Sequence, residues 1–313
     1  MTTAVHLGID VGGTASRWVA CDHAGHEIGR GAAAGATAHV FNPTERDRLT
    51  SSLRMIAEGI QTSNFLALDV TIGLTGFGAA VRSDVQAITA GYLNLPAHLV
   101  TAVDDMVLAY AAAFAPGEGI LVSAGTGSIG LYIGPDVVVR VGGRGILIDD
   151  AGSGSWIALQ ALDRLYKTLD HTGSFDAVEP LAREIFREIG GSEWSDVRQF
   201  VYGSDRGRIG ALAVAVARAA TAGDATAAAV LEEAGAELAR LAVALTSRVG
   251  RRPTGFVGGV VGLHERVQPA IRRALPGHEV RFLSLDAALT AARLQTPQGE
   301  TWRRIVAAGA GLG

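Results

Sequence analysis

The stretch Val5-His6-Leu7-Gly8-Ile9-Asp10-Val11-Gly12-Gly13-Thr14 decides how the rest of the chain is read. Val5 to Ile9 reads as a short buried strand, and Gly12-Gly13 makes the turn that ends it. Arg17 to Cys21 follows as a second strand and His26 to Ala33 as a third, so the glycine turn joins strand to strand in a meander. Two residues without Cβ atoms let backbone N–H groups face an anion. Thr14 adds a hydroxyl donor, and Asp10 at the strand end can hold a hydrated Mg2+ near phosphate oxygens. Taken alone, the same residues also make an ordinary hairpin, because short glycine motifs are weak signals.

The pattern then returns. Gly119 to Ala124 reads as a strand, Gly125-Thr126-Gly127-Ser128 as a Gly-rich turn, and Ile129 to Ile133 and Val137 to Val141 as two further strands. Two equivalent turns in two equivalent meanders predict an internal duplication and two related domains. They also predict a nucleotide held by both turns.

Between and beyond the meanders the chain alternates. Pro43 to Gln61 has helical spacing, with Leu49, Leu53, Ile56 and Ile60 on one face. Leu66 to Leu74 is a predicted strand ending at Thr75-Gly76, and Val81 to Leu93 a helix. His98 to Ala102 is a short strand ending at Asp104-Asp105, with a helix to about Ala113. Asp104 opens that helix, so it is either an N-cap or a general base for a substrate hydroxyl; Asp105 competes for the second role. Gly142 to Gly154 starts as a flexible loop and ends at a helix start rich in Gly and Ser, a natural anion or hydroxyl site. From Trp156 to about Val249 the chain reads as helical. Gly255 to Val260 is a strand running into Gly258-Gly259, a pair that would let a flat ring lie against the backbone. Asp286 to Leu294 reads as the last helix, with a glycine-rich end from Ala307.

Composition narrows the class. The chain has 313 residues, of which 48% are hydrophobic and 41 are glycine, enough for two modest domains or one large one, with close backbone approaches. The formal net charge is −4, with no long run of either sign, which argues against nucleic acid as a partner. Cys21 is the only cysteine, so neither a disulfide framework nor a cysteine metal cluster is expected. Lys167 is the only lysine, and it lies outside any glycine loop. With no G-x-x-x-x-G-K-[ST] sequence, a P-loop enzyme is excluded. A protein kinase fails for want of its strand lysine and H-R-D loop. The histidines show neither H-x3-H nor H-E-x-x-H spacing, so no zinc site is expected from the sequence. No signal peptide or membrane span is read, and a cytoplasmic protein is the expectation.

The ordered motifs, from about Val5 to Arg293, resemble the BadF/BadG/BcrA/BcrD-type ATPase family and, within it, the N-acetylglucosamine and glucosamine kinases. The resemblance rests on Asp10 to Thr14, Asp104, Ser123 to Ser128, Gly142 to Gly145, Asp150 to Trp156 and Gly258-Gly259. It implies an α/β, two-domain actin-like ATPase (ribonuclease H-like) fold with an interdomain cleft. The first domain would span 1–103, completed by a C-terminal helix at 286–313, and the second 104–285. It further implies an ATP-dependent phosphotransferase acting on an amino sugar, with ATP and Mg2+ as cofactors. Asp10 would position Mg2+ through water, and Gly12, Gly13 and Thr14 would cradle the β- and γ-phosphates. Gly125, Thr126, Gly127 and Ser128 would hold phosphates from the second domain, with Gly258 and Gly259 on the adenosine side. Asp104 would be the catalytic base, and Gly76, Gly143, Arg144 and Asp150 would face the sugar. A homodimer is expected by analogy, and neither nucleic acid nor membrane is a partner.

The chain also departs from the family. Members usually carry Asn in a G-x-x-N loop that binds the sugar; here Gly35-Ala36-Thr37-Ala38-His39 places Ala38 there, with His39 or Asn42 as possible replacements. The usual G-D-E-G-S becomes Asp149-Asp150-Ala151-Gly152-Ser153, and the common aromatic of the preceding loop is Arg144. A cation at that point would favour an acidic or phosphorylated ligand. Losing a buried hydrogen-bond partner costs about 1–3 kcal/mol, enough to change which sugar is preferred. Two other functions compete. The family's iron–sulfur electron-transfer activators need more cysteines than Cys21 supplies. A non-catalytic nucleotide or sugar sensor of the same fold is favoured by the changes at Ala38 and Ala151, and disfavoured by the intact Asp10, Asp104 and both turns.

Overall fold

The computed structural model describes residues 2–308 of the chain. They form two compact units. The first gathers the described residues of Met1–Gly117, Ile133–Val138 and Leu285–Gly313; the second spans Glu118–Tyr132 and Val139–Ser284.

In the first unit, β1 (Thr3–Val11), β2 (Ala15–Cys21), β3 (Glu27–Ala34), β4 (Phe65–Leu74) and β5 (Val100–Asp104) make one sheet in the order β3-β2-β1-β4-β5. The β1–β2 and β2–β3 pairs are antiparallel, and β1–β4 and β4–β5 are parallel. Strand periodicity sends Val5, Leu7, Ile9 and Val11 of β1 to one face. There they join Leu49, Leu53, Ile56 and Ile60 of α1 (Pro43–Thr62) and Val85 of α2 (Arg82–Leu93) in a single core. The predicted apolar stripe of α1 is therefore its buried face. Pro43 starts that helix, and the Asn42 side chain caps it by accepting from the Thr44 and Glu45 backbone N–H groups.

The opposite face of β1 carries His6, Gly8 and Asp10. Against Gly8 lies α10 (Ala287–Arg293): a Cβ at Gly8 would stand 2.1 Å from the Ala288 carbonyl oxygen and 2.2 Å from the Ala292 nitrogen. The helix approaches so closely only because residue 8 has no side chain. α3 (Asp105–Ala113) packs on the same unit, although the expected division assigned residues from 104 onward to the second domain. Its Leu108 fills the space over Gly73 of β4, and Tyr110 meets Trp302 edge-on at 5.7 Å.

In the second unit, β6 (Ile120–Ala124), β7 (Ser128–Ile133), β8 (Val138–Gly142), β9 (Thr254–Val257) and β10 (Val280–Phe282) lie in the order β10-β9-β6-β7-β8. β6–β7 is antiparallel, while β6–β9 and β9–β10 are parallel. With β6 in the place of β1, this is the strand order of the first sheet, so the duplication read from the glycine turns is present in the fold. Its core is built by Phe256, Ile120 and Val122 with α4 (Gly154–Thr172), α5 (Glu179–Ile189), α6 (Trp194–Gly203), α7 (Arg206–Thr221), α8 (Ala225–Val249) and α9 (Val267–Ala274). The Ala-rich sequence of α7 and α8 serves close helix packing, with Ala213, Ala217, Ala234 and Ala242 all buried.

Two further features differ from the sequence reading. β10 was not foreseen. The expected terminal helix over 286–313 is broken: α10 is followed by a turn at Pro297–Gly299 and then α11 (Glu300–Ala308), while residues 309–313 lie outside those described. The break is physical. Pro297 has no N–H to continue a helix, and the chain folds back so tightly that a Cβ at Gly299 would stand 2.4 Å from the Arg293 carbonyl oxygen. Among the described residues no helix is long and apolar enough to cross a membrane.

Candidate active site

The first unit gathers its polar candidates at the ends of β1, β4 and β5. The turn after β1 closes when the Gly12 N–H donates to the Ala15 carbonyl at 3.1 Å. A Cβ at Gly13 would meet nothing within 4 Å, so that backbone faces open space. Beneath the turn sits Gly35, where a Cβ would stand 2.4 Å from the Thr14 carbonyl carbon. The Ala36 N–H donates to the Gly12 carbonyl (3.1 Å), and an Arg48 Nη2 donates to the Gly13 carbonyl (3.3 Å). The turn is thus held from below by loop 35–36 and from the side by α1. Asp10 is flanked in register by Arg17 and Gly73. Burial pushes its carboxyl up from the ordinary aspartate range, against the pull of the Arg17 charge, and Asp286 pushes the same way as burial.

The loops expected to face the sugar come together at the same edge. The Thr75 N–H donates to the Val11 carbonyl (3.1 Å), and the Ala38 N–H to the Thr75 carbonyl (3.0 Å). Gly76 adopts the left-handed conformation at φ +75°, and the His39 imidazole lies where a side chain there would go, with Nε2 2.5 Å from a Cβ position. His39 and Gly76 therefore do meet. Ala38 instead is fully buried in the first core.

Asp104 and Asp105 take different parts. Asp104 is buried and caps α3, accepting from the Met106 N–H at 2.9 Å. Asp105 keeps a partly exposed edge and accepts from the Thr75 hydroxyl at 2.5 Å. Its carboxyl is pushed up to about 7, first by burial, then by the neighbouring charge of Asp104; Asp10 adds to the rise and the Thr75 hydrogen bond opposes it. A carboxylate so poised and oriented by a hydroxyl suits proton transfer at neutral pH. Thr75 had not been singled out in the sequence. Its only signal there is its place at a strand end beside Gly76.

The second unit repeats the plan. Gly125 N–H donates to the Gly127 carbonyl (2.9 Å), and the N–H groups of Gly154 and Ser155 at the start of α4 donate to the carbonyls of Gly125 and Thr126 (2.8 and 3.3 Å). A Cβ at Gly125 would again meet nothing within 4 Å. Gly258, at φ +100°, crosses the end of β6 so closely that a Cβ would stand 2.3 Å from the Ala124 carbonyl oxygen, and Gly259 beside it is open. The second glycine turn and the Gly258-Gly259 pair are thus brought together. Asp150 is buried at a positive φ of 64°, and its carboxylate accepts from the Ser128 N–H at 3.4 Å. Burial raises its pKa. In this position Asp150, expected as a sugar contact, accepts from the second glycine turn. Ser128 donates its hydroxyl to the Ala151 carbonyl at 2.8 Å. Gly142, Gly143 and Gly145 all have positive φ, and the exposed Arg144 between them pairs with Asp149 at 3.1 Å. That pairing offsets the cation expected to face an acidic ligand.

In the first unit, the open backbone at Gly13 and the raised Asp10 carboxyl fit an anionic group with its cation: the turn has room for anionic oxygens, and a buried carboxyl gains from a positive partner.

Two α/β units of the same strand order, each with a glycine turn at the end of its first strand, define the fold of actin-like ATPases and sugar kinases. The family model of the BadF/BadG/BcrA/BcrD ATPase family matches residues 7–283, and the chain belongs to that family. Comparison with curated protein sequences gives no match. Among solved structures, a protein of Chromobacterium violaceum provisionally described as an N-acetylglucosamine kinase aligns over 93% of this chain and 99% of its own, at 22% identity and a TM-score of 0.71. One of Porphyromonas gingivalis with the same provisional description aligns over 92% and 98%, at 18% identity and a TM-score of 0.73. A ROK family glucokinase of Streptomyces griseus, solved with glucose and AMPPNP, aligns over 94% and 100%, at 18% identity and a TM-score of 0.57.

Gly258→Ala tests the second unit's part directly. The new methyl group would strike the β6 backbone in a conformation that L side chains rarely adopt. The expected result is at least a tenfold loss of nucleotide affinity by calorimetry, roughly the 1.4 kcal/mol equivalent, with the far-ultraviolet spectrum retained. Unchanged affinity would remove the Gly258-Gly259 pair from the nucleotide site.

Proposed function

We propose that the protein is an ATP-dependent sugar kinase, and that its acceptor is an amino sugar of the N-acetylglucosamine or glucosamine class. The observation that carries the kinase reading is the Thr75–Asp105 hydrogen bond, which orients a carboxylate of neutral pKa beside Asp10 at the end of the first sheet. The amino-sugar reading is supported by the descriptions of the Chromobacterium and Porphyromonas proteins. The buried Ala38 leaves room for another sugar or sugar derivative as the acceptor.

In this reading Asp105 accepts the proton of the attacking hydroxyl, and Thr75 keeps its carboxylate in line. Of the two adjacent aspartates, Asp104 holds the start of α3, although it was the base expected from the resemblance. The Gly13 and Thr14 N–H groups, on a turn closed by the Gly12 hydrogen bond to Ala15, bind phosphate oxygens, and the turn at Gly125 to Ser128 is the second unit's own phosphate-binding element. Gly258 and Gly259 lie along the adenosine. Asp10 would hold Mg2+ through water. The ion would neutralise charge on the phosphates as the phosphoryl group leaves. His39 and Gly76 line the sugar side, with Gly143, Arg144 and Asp150 as further candidates from the second unit.

ADP release in the presence of glucosamine, N-acetylglucosamine, N-acetylmannosamine, N-acetylmuramic acid and glucose tests the reading. Sugar-dependent release with at least one amino sugar, well above the rate without sugar, is the expected outcome. ATP binding with silence across the panel would turn the assignment to a sensor.

A further inference from the structure

His6, His23 and Asp69 form a cluster in the first unit that phosphoryl transfer does not use. His6 lies on β1, on the face of Gly8 and Asp10, and is buried. Asp69 lies opposite it in register on β4. The His6 Nδ1–H donates to Asp69 Oδ2 at 2.8 Å. This fixes the tautomer and leaves a lone pair on Nε2. That lone pair faces Nδ1 of His23, which is exposed in the turn between β2 and β3.

The two nitrogens stand 3.3 Å apart, with the rings tilted by 35°. At this distance the pair shares a hydrogen bond when His23 carries its proton on Nδ1, and loses it when neither facing nitrogen is protonated. The distance matches two ligands of one tetrahedral ion: zinc–nitrogen bonds of about 2.0–2.1 Å put the nitrogens roughly 3.4 Å apart. A carboxylate on the far nitrogen of a ligating imidazole is the usual partner that orients the ring and raises its basicity. The turn bearing His23 is also fixed in advance: Gln298 Nε2 donates to the Ala24 carbonyl (2.6 Å) and Arg293 Nε to the Gly25 carbonyl (3.0 Å).

We propose that His6 Nε2 and His23 Nδ1 bind a divalent late transition-metal ion of the Zn2+ class, with Asp69 as the positioning carboxylate. Among the described residues no three or more His, Cys, Asp or Glu side chains are grouped to hold a metal ion, so water completes the coordination. Neutral imidazoles select such an ion over Mg2+, which prefers oxygen, and this separates the site from Asp10. The bound ion ties the β2–β3 turn to β1. No histidine spacing in the sequence announces it, because the two ligands are 17 residues apart.

Calorimetric titration of tag-free, nucleotide-free protein with ZnCl2 tests the proposal, supported by the visible absorption of a Co2+ complex. The expected result is one ion per chain. Binding should be lost in His23→Ala, an exposed position that leaves the fold intact, and kept in His26→Ala, its neighbour in the turn. Asp69→Asn should weaken it roughly 10–100-fold. Absence of stoichiometric binding by the wild type, or wild-type affinity in His23→Ala, would overturn the proposal.

Discussion

Asp105→Asn should lower the turnover of sugar phosphorylation by roughly 100-fold or more, with ATP affinity unchanged. The variant keeps the size of the side chain and its contact with Thr75 but cannot take up a proton. Asp104→Asn is the informative companion. Asn caps a helix as well as Asp does, so α3 stays formed while one negative charge beside Asp105 disappears. That charge is the second cause of the raised Asp105 pKa. The acidic limb of the kcat/KM profile, which the wild type should show near pH 7, therefore moves to lower pH in Asp104→Asn, and turnover at pH 8 is largely kept. A 100-fold loss in Asp104→Asn with near-normal turnover in Asp105→Asn would reverse the two assignments.

The same carboxyl makes stability depend on pH. Its folded pKa of about 7 lies above the ordinary value of 3.8. Between these values the folded protein holds a proton that the unfolded chain has released, so stability falls as pH rises through the window. Asp105→Asn removes that dependence. At pH 8 it should melt above the wild type while being nearly inactive, by on the order of 2–4 °C for each kcal/mol recovered. Identical melting at pH 5 and pH 8 in both proteins would contradict the burial of this charge.

The second large effect is expected at Gly8. Gly8→Ala places a methyl group 2.1 Å from one α10 backbone atom and 2.2 Å from another. Neither can swing aside as a side chain tip could, so α10 must lift from β1. A loss of about 3 kcal/mol or more follows, read from urea unfolding, with early loss of amide protection in α10. Gly13→Ala is the control, since its Cβ meets nothing within 4 Å. It should leave the urea midpoint nearly unchanged and alter only nucleotide affinity. Equal stability of Gly8→Ala and wild type would mean that α10 does not pack as described.

How legible this was depends on what each feature rests on. The paired meanders were readable because glycine turns and strand alternation are local, and the stripe Leu49, Leu53, Ile56, Ile60 is periodic within one helix. β10 has three residues, too few to show a period. The place of α3 was not readable, because it depends on Leu108 filling the gap at Gly73 and on Tyr110 meeting Trp302, residues far apart in the chain. The same holds at the site. Asp105 was in view beside Asp104, but its hydrogen bond from the hydroxyl of Thr75, thirty residues earlier, requires the fold. Gly35 gave no local sign that it supports the Gly13–Thr14 backbone. The bracing of Ser128 by Asp150 likewise requires the fold.

The return of α10 to β1 sets an order for events on the ribosome. The second unit has all its strands once Ser284 has emerged, yet the first, begun earlier, still lacks the helix that covers Gly8. Translation runs at roughly 5–20 residues per second, so the amino-terminal sheet waits on the order of ten seconds or more for its last partner. Until then one face of β1 and β2, with Val19 and Cys21, has no cover from Ala288 and Ala292. Of the two units, the one whose strands emerge first is the one that a nascent-chain chaperone would have to shield longest.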